Sequence, residues 1–173
     1  MFTNTISKCR IRSYVSHEEQ ENVMGHLRKC TLKDLDYVSK NMRDMDKLEA
    51  VYQTDQDAET ALKVSYLASK EAMAICGDED NPIGVCGVTS NGCIYMVSTD
   101  ELFSSKKYRI QLIRKGRIWV DELMKSYTIL YNVVYAENVV AMKWLESLGF
   151  KFIEYHKEYG KHKKPFYQFM RIA

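Results

Sequence analysis

Apolar positions along this chain change period several times, and each change marks an element. His26 to Cys30 reads as a short strand. Leu32, Leu35, Val38 and Met42 then recur at the three- and four-residue spacing of a helix with one buried face. Thr31 precedes that run and Asp34 stands three residues after it, a pairing that satisfies free N–H groups at a helix start. Arg43 to Val51 continues helically. Ala58 to about Lys70 predicts another helix, with Leu62, Val64, Tyr66 and Leu67 among its apolar positions. The pattern then shortens. Ala72 to Cys76, Ile83 to Val88 and Cys93 to Val97 are strand-like runs rich in β-branched residues. The turn-forming stretches Gly77-Asp78-Glu79-Asp80-Asn81-Pro82 and Ser90-Asn91-Gly92 separate them, giving an antiparallel meander.

The helical period returns at Thr99-Asp100-Glu101, which starts a short turn. Ser104 or Ser105 caps a long helix to about Lys125, with Ile110, Ile113, Val120, Leu123 and Met124 as its expected buried stripe. Ile129 to Val134 is a strand. Asn138 opens a helix that Gly149 stops, because glycine takes the left-handed conformation at little cost. Lys151 to Tyr159 and Phe166 to Ile172 form a final hairpin around Gly160 to Pro165. The order predicts an α/β fold with a mixed central sheet of about six to seven strands and helices on both faces. Residues 1–23 are polar and aperiodic and read as an N-terminal extension; residues 24–173 read as one domain.

Composition narrows this only a little. Hydrophobic residues make up 46% and charged residues 28%, ordinary for a soluble globular protein. A chain of 173 residues buries enough apolar surface to fold without disulfides or a metal. A net charge of +2 names no partner. No run approaches the roughly 18 apolar residues of a membrane span, and the first twenty lack the apolar core of a secretory signal. The five cysteines, Cys9, Cys30, Cys76, Cys86 and Cys93, include no Cys-x-x-Cys and fit no zinc spacing, so they read as small buried hydrophobes and no metal is expected. His17, His26, His156 and His162 are scattered, without a nucleophile beside them. Gly160 to Pro165 is a basic hairpin tip, a solvated turn or a contact for an acidic partner.

The stretch from Asn132 to Phe150 carries a further signal. Asn138-Val139-Val140-Ala141, followed by Leu148-Gly149-Phe150, resembles the closing motif of the GNAT acyltransferase superfamily, and the element order above is similar to that family's. A second likeness spans roughly Arg28 to Phe152. It runs through Lys29 to Tyr37, Asn41 to Asp46, Pro82 to Val88, Thr99 to Leu102 and Arg117 to Leu123, and it resembles the internal virion protein A family of short-tailed bacteriophages, itself GNAT-like. That family is associated with assembly of the core inside the phage head. The resemblance implies a chain made in the host cytoplasm during infection, carried inside the virion, with phage core or other virion proteins as partners.

The GNAT resemblance also implies where chemistry belongs. The segment opened by Asn138 runs along acyl-coenzyme A there, so Asn138 contacts the pantetheine arm or serves only as a helix cap. The pyrophosphate cradle of such enzymes is a basic, glycine-rich loop ahead of the long helix, where helix N–H groups favour an anion. Here Val97 to Tyr108 holds no glycine and two acids, Asp100 and Glu101. Ser105, Lys106 and Lys107 at the helix start are the residues that would hold a phosphate of acetyl-CoA instead. A general base is often a Glu on the strands flanking that loop; Cys93 to Val97 and Ile129 to Val134 hold no Asp, Glu or His, leaving Tyr95, Tyr131 and Tyr135. The Tyr that many relatives place seven residues after the motif Asn is Leu145 here. The expected function is a bacteriophage head-core assembly protein on a GNAT-like scaffold, weak or silent in catalysis. The alternative is an active acetyl-CoA-dependent N-acetyltransferase acting on a protein or small-molecule amine. A nucleic-acid or host-protein contact along the basic run Lys106 to Arg117 is the third reading.

Overall fold

The computed structural model describes residues 26–173; the 1–23 extension, Cys9 and His17 lie outside the described residues. Strand β1 (Leu27–Lys29) leads into α1 (Leu32–Lys40) through the expected cap. Thr31 Oγ1 accepts from the Asp34 N–H at 3.3 Å, and Asp34 accepts from the Thr31 N–H at 2.7 Å. Helices α2 (Asp44–Thr54) and α3 (Ala58–Ala68) follow. Asp57 caps α3 by accepting from the Thr60 N–H. The meander is β2 (Ser69–Cys76), β3 (Pro82–Thr89) and β4 (Ile94–Ser98), with a 3-10 turn at Asp78–Asp80. A short α4 (Asp100–Ser104) and a long α5 (Lys106–Leu123) lead to β5 (Ile129–Tyr135), α6 (Val139–Ser147), β6 (Lys151–Tyr159) and β7 (Lys164–Ile172).

The described residues thus hold seven strands. Four form one sheet in the order β1-β2-β3-β4, and three form another in the order β5-β7-β6. The two meet where β4 and β5 run parallel, at a bridge between Cys93 and Tyr131. Alternation along the strands sends side chains to two cores. Ala74, Cys76 and Val85 pack with Leu35, Val38 and Leu62 of α1 and α3. Ile75, Cys86, Val88 and Ile94 pack with Leu112, Val120 and Leu123 of α5 and with Leu145 and Leu148 of α6. Helices therefore cover both faces, as the pattern predicts.

The long helix keeps part of the expected stripe, with Val120 and Leu123 buried and Ile113 and Met124 half-buried, but Ile110 turns outward and other residues complete the inward face. Tyr108, Leu112, Gly116, Trp119, Val120 and Leu123 are buried, whereas Ile110 is 41% exposed. Apolar residues of helical spacing occur on two sides of α5, so periodicity alone does not choose between them. Close packing does. Gly116 lets α6 approach, with a hypothetical Cβ only 3.3 Å from Leu148 and 3.6 Å from Trp144. Leu32, Val64 and Leu67, also expected in apolar stripes, are exposed. Among the described residues no helix is long and apolar enough to cross a membrane.

Candidate functional site

The gap between β4 and β5 is built by their unequal pairing. At one end the Tyr131 N–H donates to the Gly92 carbonyl at 3.0 Å, and Asn132 Nδ2 donates to the Ile94 carbonyl at 2.6 Å. Beyond that point no ladder joins the strands. Gly92 makes the junction possible: it sits at φ +86°, and a Cβ there would lie 2.3 Å from the Ile129 carbonyl.

Register shows which main-chain groups line the gap. The bonds Thr99 N–H to Ile83 carbonyl and Thr89 N–H to Cys93 carbonyl fix odd-numbered β4 residues against β3. Ile94, Met96 and Ser98 therefore face the gap. On β5, the Ala136 N–H bonds the Pro165 carbonyl of the neighbouring strand, so Tyr131, Val133 and Tyr135 face the gap.

Helix α2 spans the open end with three charged residues spaced three apart. Asp46 Oδ2 accepts from the Ser98 N–H at 2.9 Å and from Ser98 Oγ at 3.0 Å. Glu49 Oε2 accepts from the Tyr135 N–H at 3.3 Å and from Asn138 Nδ2 at 2.7 Å. Arg43 Nη2 donates to Asp46 at 2.7 Å and to Asn138 Oδ1 at 3.0 Å. Its guanidinium lies over the Phe103 ring, 4.6 Å from the centroid. The Val133 N–H is taken by Asn132 Oδ1 at 2.8 Å. Met96 is left between these groups, its N–H and carbonyl facing the gap with no partner among the described residues.

Two clefts open from the gap. One, of about 410 Å³, lies toward α6 and includes Arg43, Phe103, Asn138, Ala141 and Leu145. The other, of about 570 Å³, lies toward α3 and includes Gln53, Ser65, Tyr95 and Asn132. Asp46, Glu49 and Met96 line both. Burial pushes the Glu49 carboxyl up to about 7, and the charge of Asp46 adds to this; the bonds from Asn138 and the Tyr135 N–H and the charge of Arg43 oppose it. A carboxyl of that kind holds or releases a proton near neutral pH.

Asn138 is 3% exposed, caps α6 by accepting from the Ala141 N–H at 3.4 Å, and reaches into the first cleft. It is thus a cap and a gap residue together. Ser105 caps α5 by accepting from the Tyr108 N–H at 3.4 Å. Lys106 is exposed beside it. Lys107 pairs with Asp78 at 2.6 Å, while the Tyr108 hydroxyl accepts from the Asp78 N–H. Phe103, two residues before Ser105, links this corner to Arg43. Asp100 and Glu101 are exposed on α4. Leu145 is buried, 4% exposed. Of the tyrosine candidates, Tyr95 lines the cleft toward α3 and bonds Ser69, Tyr131 accepts from Asn91, and the Tyr135 ring packs edge-on against Tyr52.

Sequence reasoning missed Arg43, Asp46 and Glu49, because the search for a base kept to the strands. Their shared trait in the sequence, a spacing of three that puts them on one side of α2 and its cap, is too common to single them out. The basic hairpin tip has an acidic partner within the chain: Lys161 and His162 reach Asp55 at the end of α2, at 2.5 and 3.1 Å. That contact helps to hold α2 over the gap.

His26, Cys76 and Asp80 bring possible ligand atoms within 4.8 Å of one another. Arg28 bonds both Asp80 oxygens, at 2.8 and 3.0 Å, so a positive charge already occupies that place. Burial pushes the thiols of Cys30 and Cys76 up to about 11 and about 12, and that of Cys86 higher still, as befits inert core cysteines.

No family model and no curated protein matches the chain. Solved structures do. Spermidine N-acetyltransferase from Vibrio cholerae, in complex with CoA and spermine, matches with a TM-score of 0.63 at 14% identity, over 87% of this chain and 96% of that one. A GNAT family acetyltransferase from Bacillus anthracis matches with a TM-score of 0.58 at 14% identity, over 84% and 93%. The fold is GNAT-like. At that identity the likeness is one of architecture. The side chains around the gap between β4 and β5 are this chain's own.

Proposed function

We propose that the chain is an acyl-coenzyme A-dependent N-acyltransferase, with acetyl-CoA as the acyl donor and an amine as acceptor. One observation carries the reading: Glu49, a half-buried carboxyl poised near neutrality, stands where two clefts meet. The cleft toward α6 suits the donor arm, with Asn138 at its wall. The cleft toward α3 suits the acceptor. Asp46 and Glu49 line that second cleft and no Lys or Arg does, which favours a cationic amine; spermine, bound to the Vibrio enzyme, is one example of the type.

Each residue has a role in the transfer. Glu49 takes the proton from the incoming ammonium, freeing its nitrogen to attack the thioester carbon. The Met96 N–H donates to the carbonyl oxygen as charge develops there. The new C–N bond forms, the C–S bond breaks, and the thiolate leaves with its electron pair, taking up the second proton that the nitrogen sheds as it becomes an amide. Leu145 supplies no proton, and no separate acid is required, because a thiolate is a fair leaving group and the acceptor nitrogen releases a proton to it. Asn138 keeps the Glu49 carboxyl aimed at the gap.

A second reading is favoured by the corner ahead of α5. The absence of glycine, the acids Asp100 and Glu101 and the pairing of Lys107 with Asp78 all weaken a phosphate cradle. On that reading the chain is a bacteriophage internal virion protein, catalytically silent and engaged with core proteins during head assembly. Calorimetric titration with acetyl-CoA separates the two. Micromolar binding, with a Glu49→Gln variant that binds the donor but loses transfer to an amine, supports the enzyme. No heat at millimolar donor removes it and moves the search to assembly partners.

A further inference from the structure

We propose that Arg43 recognises the donor, its Nε–H binding an amide carbonyl of the pantetheine arm; this rests on the acyltransferase reading and adds the residue that anchors the donor. Arginine carries five N–H donors in a rigid fork. Nη2 serves both Asp46 and Asn138. The Nε atom is buried and bonds nothing. Its side chain is only 12% exposed and lines the 410 Å³ cleft. Leaving a buried donor unpaired is unfavourable, so such a group in a formed cleft points to what the cleft receives.

The geometry is held from three sides. The Arg43 main-chain N–H donates to the Ser98 carbonyl at 2.8 Å, Asp46 fixes the far end of the fork, and the Phe103 ring supports its flat face. A lysine would keep the charge opposite Asp46 but would present no second N–H in the plane of the fork. The ligand class follows from the neighbours. Asp46 and Glu49 share the cleft, so an incoming phosphate would meet like charge. A neutral carbonyl accepts the N–H without adding charge. Val134, Ala141 and Leu145 supply apolar walls for the methylene parts of an amide-bearing arm. Anchoring by the arm also suits a chain whose phosphate corner has no glycine.

The test follows the Arg43 Nε–H resonance in the unaltered protein during titration with pantetheine, with coenzyme A, and with adenosine bisphosphate, the nucleotide half. Its loss in Arg43→Lys assigns the signal, and calorimetry measures both proteins. Pantetheine and coenzyme A are expected to move the resonance while the nucleotide half does not. Arg43→Lys is expected to weaken both arm-bearing ligands roughly ten- to hundredfold, the worth of one charge-assisted hydrogen bond. If coenzyme A binds but the resonance stays in place, Arg43 is a strut between α2 and α6 and the proposal is overturned, while the acyltransferase reading stands. If neither arm-bearing ligand binds at millimolar concentration, the acyltransferase reading falls and the role of Arg43 with it.

Discussion

Replacing Glu49 with glutamine should remove a pH dependence of stability that the native fold carries. The folded carboxyl sits at about 7 against an ordinary value of 4.5, because burial penalises its charged form more than Asn138, Arg43 and the Tyr135 N–H favour it. Between those values the folded state holds a proton that the unfolded state has lost. Stability therefore falls as pH rises. The penalty is absent below 4.5 and complete once pH has passed through about 7. A displacement of this size is worth roughly 3 kcal/mol. Glutamine has nearly the same shape, keeps an oxygen to accept from Asn138 and the Tyr135 N–H, and does not titrate. Urea unfolding of both proteins at about pH 5 and about pH 8 reads the effect directly. The variant should gain on the native protein across that interval by an amount on the order of 2–3 kcal/mol. Parallel stability curves would refute the argument: the carboxylate would then be solvated when folded, and its use as a base near neutrality would lose its basis.

Three other changes test the frame around the site. Asp34→Ala removes the acidic half of the α1 capping box and one of the two carboxylates held by Arg28, which bonds it at 2.7 and 2.9 Å and keeps Asp80; a loss of about 1–2 kcal/mol in urea unfolding is expected. Arg28 and the Thr31 bonds hold Asp34 at about 2, so its contribution is present above the ordinary 3.8 and disappears as pH falls through about 2, which an acid titration of native Asp34 and the alanine variant shows as convergence. Gly92→Ala drives a Cβ toward the Ile129 carbonyl at a positive φ and should lower stability by about 2 kcal/mol or more while disturbing the β4–β5 junction, seen as loss of protection of the Tyr131 amide in hydrogen exchange. Phe166→Ala empties a fully buried position against Tyr135 and Tyr159, and a fall of roughly 3–5 kcal/mol in the same unfolding assay is expected.

The frame was legible because local rules and tertiary packing agree along most of this chain. Thr31 with Asp34, Asn138 and Gly149 are short-range signals, and each terminates or starts a helix where expected. The strands of the meander are marked by their turns. The inward face of α5 was legible only in part: Val120 and Leu123 are buried as expected, but Ile110 and Ile118 are as apolar as Leu112, and the approach of α6 at Gly116 selects between them. The site was half legible. Asn138 stood out through its motif. Arg43, Asp46 and Glu49 did not, because their meaning depends on two strands parting above them, with contacts 52 and 86 residues away along the chain. Nothing local marks Glu49 as different from any exposed glutamate.

The parting of β4 and β5 leaves main-chain groups without a ladder, and this chain closes most of them with its own side chains: Asn132 at Val133, Glu49 at Tyr135 and Asp46 at Ser98. Those bonds let the gap persist without a ligand, as a scaffold would require. They do not explain what stays open. The Met96 main chain and the Arg43 Nε are unpaired, and Glu49 is half-buried against its preference to ionise. A buried orphan donor is worth about 1–3 kcal/mol of instability, and the Glu49 burial adds a comparable amount, against a total stability of roughly 5–15 kcal/mol for a domain. A purely structural gap gains from apolar side chains at positions 43 and 49, which would remove both penalties. Three unfavourable features around one gap argue for a site shaped by what enters it.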